Sequence, residues 1–215
     1  MLIARRSCRQ ALAGSLEGMS TTPPNDDPSE IGQNLFYGIN VKRNHRKAFP
    51  YLLEAANRGE IHAQNLVGYC YGLGLGVKKD RSQAIFWYQQ AAKYHHKDAL
   101  FNLGVSYDNG DGIEANPKKA LSFYKKAAAL GHDGAQCNLG VNYLEGLGTR
   151  RNLAKGIEWT RKAAQNGNAK AQYNLGMAYL DGEGVRPNRR NARLWLKKAA
   201  NQGHKKAISA LRRAN

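Results

Sequence analysis

The sequence of 215 residues contains only three cysteines, which are too few for a disulfide framework. It also lacks any apolar run of the roughly 18 residues that a membrane-spanning helix needs, so we expect no such helix. Acidic residues are scarce, because 16 Asp and Glu stand against 33 Lys and Arg. The resulting formal net charge of +17 makes nucleic acid, an anionic membrane or an acidic protein a candidate partner.

What the sequence does contain is a pattern that recurs every 36 residues. An alanine recurs at Ala63, Ala99, Ala135, Ala171 and Ala207. In the same register a glycine recurs at Gly32, Gly68, Gly104, Gly140 and Gly176, and an aromatic residue at Tyr51, Trp87, Phe123, Trp159 and Trp195. This register predicts five units, which we place at residues 27–62, 63–98, 99–134, 135–170 and 171–206.

Each unit predicts a pair of helices, as the third unit illustrates. Ala99, Leu103 and Tyr107 are spaced i, i+4 and i+8, so they share one helical face. This helix should end before Gly110, and Asn116-Pro117 is typical of the start of a second helix. Because a single pair cannot bury its apolar face alone, we expect the pairs to stack into an all-α solenoid.

The small and large residues of the pattern predict how the helices pack. Gly104, Ala120 and Ala127 would let the two helices of a unit approach closely, whereas the recurring aromatic residue would fill the space between units. The last of these aromatics, Trp195, is therefore expected to be buried. Residues 207–215 restart the pattern and predict a C-terminal capping helix. Its buried stripe would consist of Ala207, Ile208 and Leu211.

The string Ala135-Gln136-x-Asn138-Leu139-Gly140-x-x-Tyr143-x-x-Gly146-x-Gly148 recurs with variations, and it is followed by a half with Trp159, Ala163-Ala164 and Gly167. These units resemble the Sel-1-like repeat, a 36-residue relative of the tetratricopeptide repeat, over residues 27–206. The resemblance implies a right-handed α/α superhelix whose inner surface is lined mainly by the first helix of each unit. It also implies an adaptor that binds a protein or peptide partner, since that is the role of most family members.

No catalytic or metal-binding arrangement emerges from the sequence. The adjacent His95-His96 lacks the i, i+4 spacing of helical metal ligands. The recurring Gly-x-Gly pairs follow helices rather than strands, so they are turn glycines and not a phosphate loop. Cys70 and Cys137 occupy different repeat positions, so the paired cysteines of the few family members described as weak β-lactamases are absent. We therefore expect no enzyme activity, no metal and no cofactor.

The resemblance also predicts a binding surface, because positions 3, 7 and 10 of each unit should face the inner side. Most residues at these positions are aromatic or aliphatic, which favours a groove for an apolar peptide or helix. A recurring asparagine beside them could hydrogen-bond the backbone of an extended ligand. The predicted partner-binding residues are Tyr69, Phe101, Asn102, Val105, Asn138, Val141, Tyr173, Asn174 and Met177. Alternatively, these side chains pack between successive first helices.

The positive charge is concentrated at the C-terminal end. Residues 184–215 carry ten bases and no acid, whereas residues 1–183 carry 23 bases and 16 acids. The predicted basic patch consists of Arg186, Arg189, Arg190, Arg193, Lys197, Lys198, Lys205, Lys206, Arg212 and Arg213. This patch gives an alternative function, which is binding of nucleic acid or of an anionic partner such as an acidic toxin or effector. Nucleic acid is disfavoured because no exposed aromatic residue for base stacking is expected there.

Residues 1–26 precede the repeats and are expected to be disordered or to carry a targeting signal. Residues 1–18 are basic and contain a single acid, a composition typical of a mitochondrial transit peptide. Two alternatives stay open, namely that Met19 is the true start and that the segment is an ordinary basic tail. Without a transit peptide we expect a cytoplasmic monomer.

Overall fold

The computed structural model describes residues 27–214, although for residues 213 and 214 only the backbone is described. Within this range the chain forms eleven helices and no strand. They are α1 (Pro28–Tyr37), α2 (His45–Asn57), α3 (Ile61–Leu73), α4 (Arg81–Lys93), α5 (Lys97–Asn109), α6 (Pro117–Ala129), α7 (Asp133–Glu145), α8 (Leu153–Gln165), α9 (Ala169–Asp181), α10 (Arg189–Asn201) and α11 (Lys205–Ala214). The expectations for residues 1–26 lie outside the described residues.

Local signals in the sequence set the ends of these helices. In the third unit α5 ends at Asn109, and Gly110 follows with a φ of 73°, a left-handed conformation that favours glycine. The Asn116 side chain accepts a hydrogen bond from the Lys119 N–H at 3.0 Å, and Pro117 is the first residue of α6. Both predicted boundaries are therefore confirmed.

Within each unit the two helices approach closely at the recurring glycine of the first helix. A Cβ added to Gly104 would lie 2.6 Å from the ring of Tyr124, which is too short for any real contact. Ala120 and Ala127 are fully buried on the facing helix. The predicted close approach is confirmed, and it places the Tyr124 ring between the two helices of the unit.

Neighbouring units share their apolar cores through four of the five recurring aromatic residues. The prediction is wrong for the fifth, Tyr51, which is 39% exposed. Trp87 of the second unit is buried in a cluster that includes Phe36 and Leu52 of the first. The expectation that Trp195 is buried is wrong, because its ring is half-buried and the Lys198 ammonium lies 4.4 Å from its centroid. Trp195 still packs against the cluster of the fourth and fifth units. The repeated units thus form one continuous all-α solenoid.

A second contact between units is made by the loop that joins the two helices of a unit, which touches the second helix of the preceding unit. A Cβ on Gly184 would lie 2.8 Å from the side chain of Ile157 on α8, so the loop before α10 rests on the start of α8. Gly148 meets the carbonyl of Pro117, at the start of α6, in the same way. Each of these loops therefore covers the first turns of the second helix in the preceding unit.

The last helix, α11, packs against α10 through one narrow stripe. Ala207 is fully buried, Ala210 is nearly so and Leu211 is half-buried. Ile208 is 50% exposed, so its predicted place in the buried stripe is wrong. The reason is helical geometry, because positions 207, 210 and 211 follow the i, i+3, i+4 spacing of one face and position 208 does not.

Candidate partner-binding surfaces

The nine residues predicted to bind a partner lie on α3, α5, α7 and α9, and we call the surface of these helices the first-helix face. Tyr69 is 40% exposed, and the other eight side chains are half-buried. These residues are thus neither fully enclosed in the core nor fully exposed to solvent. Their role in binding stays a prediction.

Two shallow depressions adjoin each other on this face. One, of about 230 Å³, is lined by residues that include Val105, Asn138 and Val141. The other, of about 200 Å³, is lined by residues that include Tyr69, Asn102 and Val105. Because Val105 lines both, the two depressions form one row along successive first helices. The structure therefore brings five of the nine predicted residues together.

Buried phenol side chains from the second helices contribute to both depressions. Tyr124 lines the larger one and donates a hydrogen bond to Asp108 Oδ2 at 3.2 Å, and Tyr88 lines the smaller one. Burial raises the pKa of both hydroxyls, so they stay protonated at neutral pH. Charged residues of both signs also line the depressions, including Asp108, Lys170 and Arg81. The row therefore combines apolar surface with polar groups.

One of the recurring asparagines forms a hydrogen bond within the protein as well. Asn102 Nδ2 donates to Asn65 Oδ1 of the preceding unit at 3.3 Å. Asn138 lines the larger depression together with Tyr124. A carboxamide has two donor hydrogens and an acceptor oxygen, so the bond of Asn102 leaves capacity for a ligand. Asn102 can thus serve both the packing and the binding interpretation.

Three of the other four predicted residues have a clear packing role, and the fourth, Asn174, is half-buried on α9. The ring of Phe101 stacks on His132, with centroids 4.2 Å apart, and Tyr173 stacks on His204 at 4.7 Å. Tyr173 and Met177 also pack against the cluster of α10 and α11. These three side chains lie outside the two depressions.

Sequence reasoning missed the role of the histidines that precede the first helices. Nδ1 of His132 accepts a hydrogen bond from the Ala135 N–H at 3.0 Å and thereby caps α7. His96 and His204 make the equivalent bond, and Asn168 takes this position in the fourth unit. The signal was available, since the four residues are spaced 36 apart. Among the described residues, no group of three or more His, Cys, Asp or Glu side chains is placed to hold a metal.

The residues of the predicted basic patch lie on α10 and α11, except Arg186, which precedes α10. All of its members except Arg213, whose side chain lies outside the described residues, are exposed. Across residues 27–212, none of these exposed bases forms an ion pair. The patch is therefore an exposed and positively charged surface.

Stacked helix pairs with short loops define the chain as an α-solenoid repeat protein. A family model described as the Sel1 repeat matches residues 30–60, 61–93, 97–132, 134–168 and 169–204. The chain belongs to the Sel1 repeat family, as its sequence pattern predicted. No curated protein matches the chain.

Solved structures show the same fold. A Sel1 repeat protein from Oxalobacter formigenes is 29% identical, with a TM-score of 0.80 over 86% of this chain and 73% of that one. The protective antigen c5321 of uropathogenic Escherichia coli is 30% identical with a TM-score of 0.77, and the match covers 86% of this chain but 39% of the antigen. The immunity protein Pa5087 of Pseudomonas aeruginosa is 24% identical with a TM-score of 0.58, over 86% of this chain and 70% of that one, which shows the fold alone. None of the described helices is long and apolar enough to cross a membrane.

Proposed function

We propose that this protein is a non-enzymatic adaptor whose first-helix face holds a peptide or helix of a partner protein. Sel1 repeat proteins are in general scaffolds for protein interactions. The observation that carries the proposal is the row of two adjoining depressions that share Val105. A peptide that follows the row would place successive side chains in successive units of the solenoid.

The side chains of this row suit a polypeptide ligand. Val105 and Val141 offer apolar contact, while Asn102 and Asn138 offer donors and acceptors for a peptide backbone. A binding site of this kind gains affinity from a few desolvated side chains near its centre. Val105 has that central position, since it borders both depressions.

Substitution of the shared valine and its neighbour tests the proposal. The Val105→Glu, Val141→Glu double variant should lose, by at least tenfold, the partner proteins that the unchanged chain captures from native lysate, as quantified by mass spectrometry. Phe101 and Tyr173 are poorer choices, because their rings stack on helix-capping histidines. Both valines are half-buried, so circular dichroism must show an intact helical spectrum in the variant.

The control is Phe86→Glu on α4, a second helix, where an exposed apolar side chain is replaced by one glutamate. This variant should retain the captured proteins. Retention by the valine variant, or equal loss from the Phe86 variant, would show that the first-helix face is not the binding surface.

A further inference from the structure

One repeat position changes its chemistry in the last unit. At this position the first four units carry Phe49, Ile85, Leu121 and Ile157, and the last carries Arg193. Ile85, Leu121 and Ile157 are buried and Phe49 is half-buried, whereas Arg193 is exposed. An apolar residue that packs against the next unit is thus replaced by a fully ionised guanidinium. The start of α10 is therefore not suited to cover by a further unit of the same kind.

The contacts of the earlier units show what normally occupies this place. The loop of the following unit rests on the start of each earlier second helix. At two of these four junctions an acid in that loop pairs with a base below it. Arg81, the first residue of α4, pairs with Asp111 in the next loop. Arg151, just before α8, pairs with Glu183 at 2.7 Å in the same way. At these two junctions a loop carboxylate therefore meets a base at the start of the preceding second helix.

The last unit repeats the basic half of this junction. Arg189 is the first residue of α10 and so occupies the position of Arg81. Arg186, Arg190 and Arg193 lie within four residues of it in the chain, and all four side chains are exposed. We call these four residues the terminal arginine cluster. No acid of the described chain pairs with any of them.

We infer that the terminal arginine cluster binds an acidic loop of a partner protein, in the place that the loop of the following unit occupies elsewhere. Guanidinium groups bind carboxylates through paired hydrogen bonds, which a cluster of arginines can repeat. Leu194, which is 50% exposed beside Arg193, adds apolar contact area of the kind found in protein interfaces. This surface is separate from the first-helix face.

Two other occupants fit less well. One is a second copy of this chain, whose first loop contains Ile39, Asn40 and Lys42 but no carboxylate that could pair with the arginines. Single-stranded nucleic acid binds through exposed aromatic rings as well as phosphates, but Trp195 is half-buried and lies under Lys198. An acidic protein therefore fits this surface better than a second copy of the chain or single-stranded nucleic acid does.

A peptide copied from the chain itself provides the probe. Residues 104–116 include the loop whose Asp111 pairs with Arg81, and they also carry Asp108 and Glu114. A fluorescein-labelled peptide of this sequence is titrated with the full chain at low salt, and fluorescence anisotropy gives its Kd. A neutral peptide with Asp108→Asn, Asp111→Asn and Glu114→Gln should bind at least tenfold more weakly.

Paired substitutions in the protein locate the site. The Arg189→Ala, Arg193→Ala variant should bind the acidic peptide at least tenfold more weakly. The Lys125→Ala, Lys126→Ala variant removes two exposed bases from α6 and should bind within twofold of the unchanged chain. Equal losses in the two variants, or equal binding of the two peptides, would overturn the inference. A 13-nucleotide single-stranded DNA is tested in the same way. If it binds more tightly than the acidic peptide and the arginine variant loses this binding, the inference is overturned in favour of nucleic acid.

Discussion

The His132 imidazole stacks on the Phe101 ring with their planes 19° apart, and its Nδ1 is thereby directed at the start of α7. Because Nδ1 accepts the N–H of Ala135, the neutral ring carries its proton on Nε2, which lies 3.6 Å from Asp98 Oδ1. A doubly protonated imidazole has no acceptor left for this N–H. The cap therefore depends on a neutral histidine.

Acidification should weaken the fold through these caps. Burial is the largest cause that lowers the pKa of His132 and of His96, and for His132 the nearby Lys97 acts in the same direction while Asp98 and Asp133 oppose it. The unfolded chain then binds more protons than the folded chain, so stability is full above a pH of about 6.5 and falls as the pH drops below it. Urea unfolding at pH 7.5 and pH 5.0 should show the lower midpoint at pH 5.0.

The variant His132→Asn separates the cap from the titration. Asn168 already caps α9 with an asparagine, and it accepts the Ala171 N–H at 2.9 Å. The variant should keep the cap but lose the stack on Phe101, and its stability should fall less between pH 7.5 and pH 5.0 than that of the unchanged chain. An unchanged pH dependence would show that His132 does not contribute to it.

Replacement of His95 by glycine should stabilise the protein. His95 has a φ of 58°, in the left-handed region, where the other four units have glycine. Relief of this backbone strain should raise the free energy of unfolding by about 1 kcal/mol, which corresponds to roughly 2–4 °C in Tm for a chain of this size. Differential scanning calorimetry of His95→Gly measures the shift.

The reverse change serves as its control. Gly131 occupies the equivalent position with a φ of 80°, and an added Cβ would meet no atom within 4 Å. Gly131→Ala should therefore lower the Tm through backbone strain alone. A neutral result for both variants would show that this position is too flexible to hold strain.

Two helix glycines should respond in opposite ways to alanine. A Cβ on Gly104 would clash with Tyr124 at 2.6 Å, so Gly104→Ala should destabilise the protein by about 1–3 kcal/mol through overpacking. A Cβ on Gly72 would lie 3.5 Å from the Tyr88 hydroxyl, an ordinary contact. Gly72→Ala should be neutral or stabilising by up to about 1 kcal/mol, because alanine favours the helix. Urea unfolding of both variants tests this, and equal effects would contradict it.

The two cysteines in the repeats should be unreactive in the folded protein. Both are buried, and burial raises the pKa of the Cys70 thiol to about 12 and raises that of Cys137 as well. Because the thiolate is the reactive form, a Cys8→Ser variant should show no fast reaction with a disulfide reagent at pH 8. Both thiols should react after unfolding in urea. Fast labelling of the folded variant would mean that the core opens on the timescale of the assay.

Structural features that depend on residues nearby in the sequence were predicted well. Features that depend on contacts with neighbouring units were not. The end of α5 at Gly110 and the start of α6 at Asn116 depend on backbone conformation and a local cap, so a few residues suffice to predict them. The half-burial of Trp195 depends on which helices surround it, and the repeat pattern alone does not contain that information for the last unit. The exposure of Ile208 could have been predicted, because the spacing of Ala207, Ala210 and Leu211 already excludes it from their face.

The same distinction applies to the first-helix face. Its residues were predicted from their repeat positions, and they do lie on the first helices. Two other findings depend on contacts between consecutive units. Val105 borders two depressions, and Phe101 stacks on His132. Such contacts require the angle between units, which the spacing of residues within one unit does not define.

The placement of each loop over the preceding second helix gives the array a direction, and this direction constrains how such a protein can lengthen. A unit duplicated ahead of the last one would find apolar partners on both sides, because it would bring its own aliphatic residue and its own covering loop. A unit added after α10 would instead set its loop on the Arg193 guanidinium, where the earlier loops cover an apolar side chain. Growth by duplication should therefore be tolerated more easily inside the array than directly after α10.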